Sequence, residues 1–474
     1  MLEPLWTSAQ IAAATGGAEA GRFEAYGVAI DSRDVRSGDL FVALRGENTD
    51  GHRFIEQAMQ AGATGVLVEA SADIPDGVPA VSVQDGFTAL NRLGAASRLR
   101  LGGQVIGVTG SVGKTGTKSA IAATLAEAGE TFSSIRSFNN HVGVPLTLAR
   151  TPVSTQFAVL EMGMNHAGEL RELSALARPT IALITTVAGV HMEFFDSVEQ
   201  IADAKSEIFE GLESGGVGII NRDNAYFDRQ LDAARTAGVS NILSFGIHDD
   251  ADVRMVRQKL HDDCSCITAD VAGTLLTYKL GIPGVHWVSN SLAVLAVVHA
   301  AGADLGRAGL ALADQRPPKG RGERHFVDAP GGCVLVIDES YNASPIAMQA
   351  AIRQLGETAP PAKSGRRIAV LGDMRELGEG GPAAHRNLAG QLVGAAVSHV
   401  LLVGPLMRHL LDALPPSITA TSCSDAAEAE QAIMNSYEPG DLIMVKGSNA
   451  IGLSRVVDAL LALADVPVHA REAG

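Results

Sequence analysis

The sequence is poor in aromatic residues and in cysteine. Phe, Trp and Tyr make up 4% of the chain, and the four cysteines are Cys264, Cys266, Cys333 and Cys423. These cysteines show no metal-ligand spacing with histidine, and Cys264 and Cys266 are too close together for an ordinary disulfide framework. The composition therefore argues against a disulfide-stapled secreted domain, and we expect four reduced thiols.

The sequence also lacks basic clusters and long apolar runs. Its formal net charge is −16 at pH 7, and no Lys/Arg cluster offsets this acidity, so no nucleic-acid partner is expected. The stretch closest to a membrane helix, residues 291–301, is interrupted by His299 and is shorter than the roughly 18 apolar residues required, so no membrane insertion is expected. The first residues lack the basic start and apolar core of a secretory signal peptide, so no such signal is predicted. We expect a cytoplasmic protein and a monomer.

Short apolar runs alternate with helical segments along the whole chain. With 474 residues, the chain exceeds the roughly 250 to 300 residues at which one core stops growing, so two or three domains are expected. Strands that alternate with helices form mostly parallel sheets. The predicted strands are residues 27–30, 40–44, 65–68, 105–108, 157–160, 181–184, 217–220, 334–337, 368–371, 400–403 and 442–445.

A Pro-Gly cluster at residues 315–320 separates the last four predicted strands from the others. We therefore predict an α/β protein with three domains. Residues 1–101 form a small α/β domain, residues 102–315 a central domain with a mostly parallel sheet and a phosphate-binding P-loop, and residues 316–474 a C-terminal Rossmann-like, doubly wound domain.

The most informative motif is Thr-Gly-Ser-Val-Gly-Lys-Thr at residues 109–115, between a predicted strand and a helix predicted from Lys118. Backbone N–H groups of such a loop bind phosphate oxygens, while Lys114 would reach the β and γ phosphates and Thr115 would contact Mg²⁺. The general pattern has a glycine where this chain has Val108, so the match is partial. A glycine turn that binds nothing is the alternative. Even if the loop binds ATP, it does not show whether the protein is a kinase, a motor, a GTPase or a ligase.

Three potential metal ligands follow predicted strands of the central domain: Glu161, His191 and Lys205. In such sheets ligands bind outside the carboxyl ends of the strands, so these side chains can converge on the phosphates. Each has a simpler interpretation when taken singly: a helix-start carboxylate, a hydrogen-bonded loop histidine and a solvated lysine. Only their combination with the loop indicates a catalytic site.

Together, the loop and these three residues resemble the Mur ligase family, the ATP-dependent amide-forming enzymes of peptidoglycan precursor synthesis. The family's loop reads Thr-Gly-(Thr/Ser)-x-Gly-Lys-(Thr/Ser), which accounts for Val108. The resemblance covers essentially the whole chain: residues 31–33, 38–46 and 50–52 resemble the UDP-sugar module. Residues 139–145 resemble the substrate loop, and residues 338–345 and 446–448 follow in the family order.

Within the family, residues 338–345 and 371–378 are most similar to the member that adds D-alanyl-D-alanine to UDP-N-acetylmuramoyl-tripeptide. The Asp-Asn-Pro-Arg signature of the diaminopimelate-adding member is absent. The resemblance implies that the tripeptide carboxylate becomes an acyl phosphate, which the dipeptide amine attacks. A member that adds a diamino acid and an ATP-dependent switch without ligase activity remain the alternatives.

The resemblance also implies cofactors and site residues. It implies ATP, two Mg²⁺ ions and a carbamylated lysine at Lys205. The implied catalytic residues are Lys114, Glu161, His191 and Lys205, and the implied metal ligands are Thr115, Glu161, His191 and Lys205. The implied ATP-binding residues are Thr109, Gly110, Ser111, Val112, Gly113, Lys114, Thr115, Asn290, Arg321 and Asp338. The implied substrate-binding residues are Ser32, Arg33, Asp50, Asn139, Asn140, Asn342, Lys446 and Ser448.

Position 449 departs from the family pattern. An arginine usually follows Lys-Gly-Ser, but this chain has Asn449. Asparagine cannot supply the bidentate cationic fork with which arginine binds a carboxylate. The sequence therefore predicts no such role for Asn449.

Overall fold

The computed structural model describes residues 3–46, 49–134, 137–190, 192–261 and 263–465. The chain forms three large sheets in sequence order, each covered by helices. Among the helices of these ranges, none combines the length and the apolarity that crossing a lipid bilayer requires. The architecture is the predicted three-part α/β arrangement.

The first sheet has the strand order β2-β7-β6-β5-β4, with β4 to β7 parallel and β2 antiparallel to β7. Buried Val, Leu and Phe side chains on these strands exclude water from both faces. Its region contains β1 (Trp6–Thr7), α1 (Ser8–Thr15), β2 (Ala18–Ala20), β3 (Glu24–Ala25), β4 (Gly27–Ala29), β5 (Asp39–Val42), α2 (Ile55–Gln60), β6 (Gly65–Glu69), β7 (Ala80–Val83) and α3 (Gly86–Arg100).

The central sheet has the order β16-β15-β14-β13-β12-β11-β8-β10-β9. Strands β8 to β14 pair in parallel, whereas β14, β15 and β16 form an antiparallel extension. The strands are β8 (Gln104–Thr109), β9 (Thr131–Ser133), β10 (Phe157–Glu161), β11 (Ile181–Ile184), β12 (Val217–Asn221), β13 (Asn241–Gly246), β14 (Val253–Leu260), β15 (Ser265–Val271) and β16 (Thr274–Leu280). The helices are α4 (Lys114–Ala126), α5 (Gly143–Arg150), α6 (Glu169–Ala177), α7 (Val198–Ser206), α8 (Phe227–Thr236), α9 (Val285–Ala300) and α10 (Leu305–Ala313).

The third sheet has the order β17-β18-β22-β19-β20-β21, parallel except for the hairpin of β17 and β18. Hydrophobic side chains pack on both of its faces, as in a doubly wound sheet. The elements are β17 (Glu323–Ala329), β18 (Gly332–Glu339), α11 (Pro345–Glu357), β19 (Arg367–Gly372), α12 (Gly381–Arg386), α13 (Leu388–Gly394), β20 (His399–Val403), α14 (Arg408–Leu411), β21 (Thr419–Cys423), α15 (Ala426–Ser436), β22 (Leu442–Lys446) and α16 (Ser454–Leu461).

Helix α5 joins the first region to the central one. Leu146 and Ala149 belong to the core of the first region, while Val144 and Leu148 belong to the core beside the central sheet. The indole N–H of Trp6 donates a 2.8 Å hydrogen bond to Ala149 O. Because one short helix is buried on two sides, the two regions are anchored to each other.

Sequence and structure agree closely on the predicted strands. Each of these strands is present, and its ends lie within two residues of the prediction. The helix after the glycine loop was predicted to start at Lys118 but begins at Lys114, so the loop opens directly onto a helix N-terminus. Strands β1 to β3, β7, β9, β13 to β17 and β21 were not predicted. Among them, β14 is largely exposed and carries little hydrophobic pattern.

Candidate active site

The glycine loop lies between β8 and α4 and needs two glycines. Gly110 has φ +147° and Gly113 has φ +86°, backbone conformations that residues with a Cβ rarely adopt. The hydroxyl of Thr185, just after β11, donates a 2.7 Å hydrogen bond to Val112 O. Lys114 Nζ lies 2.6 Å from Gly110 O. The loop is thus held in shape beside the N-terminus of α4, where unpaired N–H groups favour an anion.

Helix α9 packs against the start of α4 and closes one side of the loop. A Cβ built on Gly113 would lie 3.1 Å from Asn290 Oδ1, and one built on Gly116 would lie 2.5 Å from the ring of Trp287. Asn290, a predicted nucleotide-binding residue, therefore sits directly against the loop. Trp287 was not predicted, and its only signal was that it is an aromatic residue in a sequence with few of them.

Glu161 ends β10, the strand next to β8, and its side chain is buried. Asn139 Nδ2 donates a 2.8 Å hydrogen bond to Glu161 Oε1, whereas Oε2 has no hydrogen-bond partner among the described residues. An unpaired buried carboxylate oxygen suits a hard cation such as Mg²⁺. The hydroxyl of Thr115 lies 3.3 Å from that of Ser137, which adds a second oxygen donor of the kind that Mg²⁺ prefers. His191, the third predicted ligand, lies outside the described residues.

Lys205 lies on α7 and is only 1% exposed. Burial, and secondly the charge of Lys114, hold the pKa of Lys205 well below its ordinary value. Burial also lowers the pKa of Lys114, against which the charge of Glu161 acts. Lys205 does not line the cavity between the loop and the third domain. It is a buried amine close to the loop, and the two lysines disfavour each other's charge.

The third domain supplies the opposite wall of the site. The guanidinium of Arg321 lies 4.3 Å from the centre of the Tyr341 ring. Lys446 Nζ lies 3.0 Å from Glu339 Oε2 and donates to Asn342 O at 3.0 Å. Glu339 and Lys446 end β18 and β22, and Tyr341 and Asn342 follow β18, at the strand ends where a ligand site is expected in a doubly wound sheet.

Asp338, for which nucleotide binding was predicted, forms hydrogen bonds within the third domain. Its Oδ2 accepts the N–H of Gly320 at 3.0 Å, and its Oδ1 accepts both the N–H and the hydroxyl of Ser340. The carboxylate is buried and is not part of the cavity wall. The neighbouring Glu339, for which no role was predicted, lines the cavity instead. Its signal was its place as the last residue of a buried strand.

A cavity of about 770 Å³ lies between the loop and the third domain. Twelve of the predicted residues line it: Ser111, Val112, Gly113, Lys114, Thr115, Asn139, Glu161, Asn290, Arg321, Asn342, Lys446 and Ser448. The lining also includes Glu339, Tyr341, Trp287 and Arg375, which the sequence analysis did not predict. Thr109, Gly110, Lys205 and Asp338 are not part of this lining.

The remaining predicted substrate residues lie outside this cavity. Asn140 Oδ1 accepts the N–H of Val142 and of Gly143 at the start of α5. In the first region, Arg33 pairs with Asp31 at 2.6 Å. The hydroxyl of Ser32 donates to Gln57 at 3.1 Å, and Asp50 Oδ1 lies 2.7 Å from His52 Nδ1. Ser32, Arg33 and Asp50 follow β4 and β5 at the carboxyl ends of those parallel strands.

Three family matches cover most of the chain. Residues 24–97 match "Mur ligase family, catalytic domain", residues 108–298 match "Mur ligase middle domain", and residues 320–449 match "Mur ligase, glutamate ligase domain". They follow one another in the order of the three sheets.

Curated relatives match over nearly their full length. A protein of Bacillus subtilis named UDP-N-acetylmuramoyl-tripeptide–D-alanyl-D-alanine ligase is 35% identical over 92% of this chain and 93% of its own. One of the same name from Rickettsia prowazekii is 32% identical over 96% of this chain and 99% of its own.

Solved structures match in three dimensions as well. MurF from Acinetobacter baumannii superposes with a TM-score of 0.83 and 28% identity, over 97% of this chain and 99% of that one. MurF ligase from Thermotoga maritima, solved in complex with ADP, superposes with a TM-score of 0.75 and 26% identity, over 93% and 98% of the two chains. Sequence matches over the full length, a shared three-domain fold and a phosphate loop facing the third domain agree: this chain belongs to the Mur ligase family.

Proposed function

We propose that this chain is an ATP-dependent ligase that adds D-alanyl-D-alanine to UDP-N-acetylmuramoyl-tripeptide in the synthesis of peptidoglycan precursors. The observation that carries the proposal is one cavity that combines the phosphate loop with Arg321, Arg375 and Lys446 of the third domain. Such a cavity has room for a nucleotide, an acyl group and an amine together. Relatives that match over at least nine-tenths of the chain carry the name of this activity.

The reaction needs an activated carboxylate, because a carboxylate itself is a poor electrophile. A carboxylate oxygen of the tripeptide attacks the γ-phosphorus of ATP, the bond to the bridging oxygen breaks, and ADP leaves. The amine of the dipeptide then attacks the acyl carbon of the acyl phosphate, and phosphate and a proton are released. Phosphoryl transfer asks the protein mainly for positioning and for neutralising charge. Lys114 and the N-terminus of α4 supply that charge to the phosphates.

The protein's oxygen donors fit Mg²⁺, and two ions are expected. Thr115, Glu161, neutral His191 and a modified Lys205 would hold them. When bound, Mg²⁺ neutralises the charge that develops on the transferred phosphoryl group. The support in this chain is the unpaired Oε2 of Glu161. Asn139 fixes the other oxygen of that carboxylate and so orients the first.

Carbamylation of Lys205 by CO₂ suits the surroundings of this lysine. A buried ammonium beside Lys114 would be repelled both by that lysine and by Mg²⁺, whereas an anionic carbamate would be attracted. The reaction needs the uncharged amine, which burial favours at this position. The product would give the site an additional carboxylate-like ligand.

Nucleotide contacts are expected from two domains. Asn290 would bind adenine, and Arg321 would bind phosphate. We assign the ribose hydroxyls to Glu339 instead of Asp338, because both oxygens of Asp338 already accept hydrogen bonds inside the protein. Residues 315–322 would serve as the hinge that brings these contacts together.

The sugar nucleotide is expected at the first region and the dipeptide at the third. Ser32, Arg33 and Asp50 would bind the UDP-sugar, and Asn139 and Asn140 would guide the peptide toward the loop. Asn342, Lys446 and Ser448 would contact the reacting groups from the third domain. The substrates are small molecules, and we expect the chain to work in the cytoplasm as a monomer.

Phosphate release with a set of acceptors tests the proposal. The protein is incubated with ATP, Mg²⁺ and UDP-N-acetylmuramoyl-tripeptide, with or without D-alanyl-D-alanine. Phosphate release is measured, and the mass of the product is determined by mass spectrometry. Phosphate release that requires both substrates is expected. Ligation of a diamino acid to the dipeptide nucleotide would instead assign the diamino-acid-adding activity. ATP turnover that needs neither substrate would indicate a switch.

A further inference from the structure

Arg375 differs from the other cations on the third-domain wall. Arg321 lies over the Tyr341 ring, and Lys446 is buried with its ammonium paired to Glu339. Arg375 is exposed and lines the same cavity. Across the described ranges, its guanidinium has no ion pair and no hydrogen bond with another side chain. It is therefore available to an anion that enters the cavity.

The main chain at Arg375 is nevertheless held firmly. Its N–H donates a 3.0 Å hydrogen bond to the Ser448 hydroxyl, and the N–H of Ser448 donates to Asp373 O at 3.2 Å. The N–H of the adjacent Met374 donates to His385 Nε2 at 3.0 Å. The backbone position of Arg375 is thus fixed at the edge of the cavity, while its guanidinium is left unpaired among the described residues.

The same hydrogen bonds bring Arg375 next to position 449. Strands β19 and β22 are parallel neighbours, with Leu371 opposite Lys446, so the loops that follow them meet at one edge of the sheet. Asn449 lines the cavity beside Ser448 and carries no charge. Arg375 thus places a cation beside the position where the family pattern has an arginine and this chain has none.

Arg375 also lies where the third domain touches the central one. The carbonyl oxygen of the next residue, Glu376, accepts the N–H of Glu193 at 3.4 Å. A Cβ built on Gly378 would lie 3.4 Å from the Cα of Glu193. The phosphate loop has its own cation in Lys114, whereas Arg375 faces the cavity from the third domain.

We propose that Arg375 binds the terminal carboxylate of the incoming dipeptide and replaces the cation that position 449 lacks. This proposal rests on the proposed function. Arginine is suited to this role because its planar fork donates two parallel hydrogen bonds to a carboxylate. The contact orients the dipeptide with its amine away from the third-domain wall. It also selects a dipeptide with a free carboxylate over one with a blocked end.

The test compares D-alanyl-D-alanine with its C-terminal amide, which keeps the amine and lacks the negative charge. The wild type and Arg375→Ala, Arg375→Lys and Arg375→Ala/Asn449→Arg are assayed by phosphate release, with Arg408→Ala as the matched control because Arg408 is an exposed arginine of the same domain. Thermal melting checks that each variant is folded.

The wild type is expected to prefer the carboxylate over the amide by about 10- to 100-fold in kcat/KM. Arg375→Ala should lose this preference, through a KM for the dipeptide raised by the same factor, while its KM for ATP and for the nucleotide substrate stays within about twofold. Arg375→Lys should retain part of the preference, and Asn449→Arg should restore part of it to Arg375→Ala. Arg408→Ala should behave as the wild type.

Two failures can be told apart. If the wild type does not ligate D-alanyl-D-alanine at all, the proposed function is wrong and the assignment of Arg375 is wrong with it. If the wild type ligates the dipeptide but Arg375→Ala keeps its preference for the carboxylate, only the assignment is wrong. A raised KM for ATP or for the nucleotide substrate, with that for the dipeptide unchanged, would also overturn it.

Discussion

Asn139 holds Glu161 through a single hydrogen bond of 2.8 Å from its amide nitrogen to Oε1, and Oε2 is left without a partner among the described residues. Asn139 lies four residues before α5, which is packed into the first region. A carboxylate of the candidate active site is therefore oriented by the segment that leads to the first region.

Replacing Asn139 by alanine should weaken metal binding without removing a ligand. Glu161 would lose the contact that fixes its rotamer, and such outer contacts are worth about 10- to 100-fold in metal affinity. The Mg²⁺ concentration for half-maximal phosphate release should rise by about that factor. Asn241→Ala, an exposed asparagine on β13, is the control, and an unchanged Mg²⁺ requirement in Asn139→Ala would contradict the role.

Replacing Lys205 by alanine should lower kcat by about 100-fold or more, because the site loses an anionic group that the carbamate would supply. Acetate or formate should restore part of the activity by taking the place of the carbamate. Phosphate release with and without these acids measures the effect. Lys279→Ala is the control, because Lys279 is an exposed residue of β16. Full activity of Lys205→Ala would refute carbamylation as a requirement.

Replacing Gly116 by alanine should destabilise the protein by about 1 to 3 kcal/mol, because the new Cβ would meet the Trp287 ring at 2.5 Å. Chemical denaturation measures the change. A built Cβ at Gly390 on α13 meets nothing within 4 Å, so Gly390→Ala should instead stabilise by about 0.4 to 1 kcal/mol. Equal effects of the two substitutions would mean that the Trp287 contact does not constrain the helix.

Stability should fall in mild acid because of His385. This side chain is buried, accepts the N–H of Met374 and donates to Gly381 O, and burial lowers the pKa of His385. Above the unfolded pKa of about 6.5 both states carry a neutral ring, so its contribution to stability is complete there. Below that pH the unfolded state takes up a proton that the folded state resists, and the free energy of unfolding decreases.

Denaturation of the wild type and of His385→Ala at pH 7.5 and 5.5 checks this pH dependence. At pH 7.5 the free energy of unfolding of the variant should be about 1 to 3 kcal/mol lower than that of the wild type, because the Met374 N–H loses its acceptor. At pH 5.5 the difference should be smaller. His261 is an exposed histidine near the turn between β14 and β15. The difference in the free energy of unfolding between His261→Ala and the wild type should be the same at both pH values. A difference that does not shrink with acid would exclude His385 as the titrating group.

The sequence by itself determined the parts that depend on local pattern. The strands that appear as short apolar runs between turns were predicted, with ends within two residues of those observed. The phosphate loop follows from the glycines that its backbone requires. Strand β14 was missed because five of its eight residues are exposed, which leaves no hydrophobic run to recognise.

Only the tertiary structure decided which side chains meet in the cavity. Asp338 and Glu339 are successive residues at the end of β18, and successive strand side chains point to opposite faces. The sequence could not show which of those faces lies against the central domain. Arg375 and Asn449 are far apart in the chain and become neighbours only because β19 and β22 pair in parallel. Local pattern fixes the elements, whereas the composition of the site depends on how the sheets pair and how the domains pack.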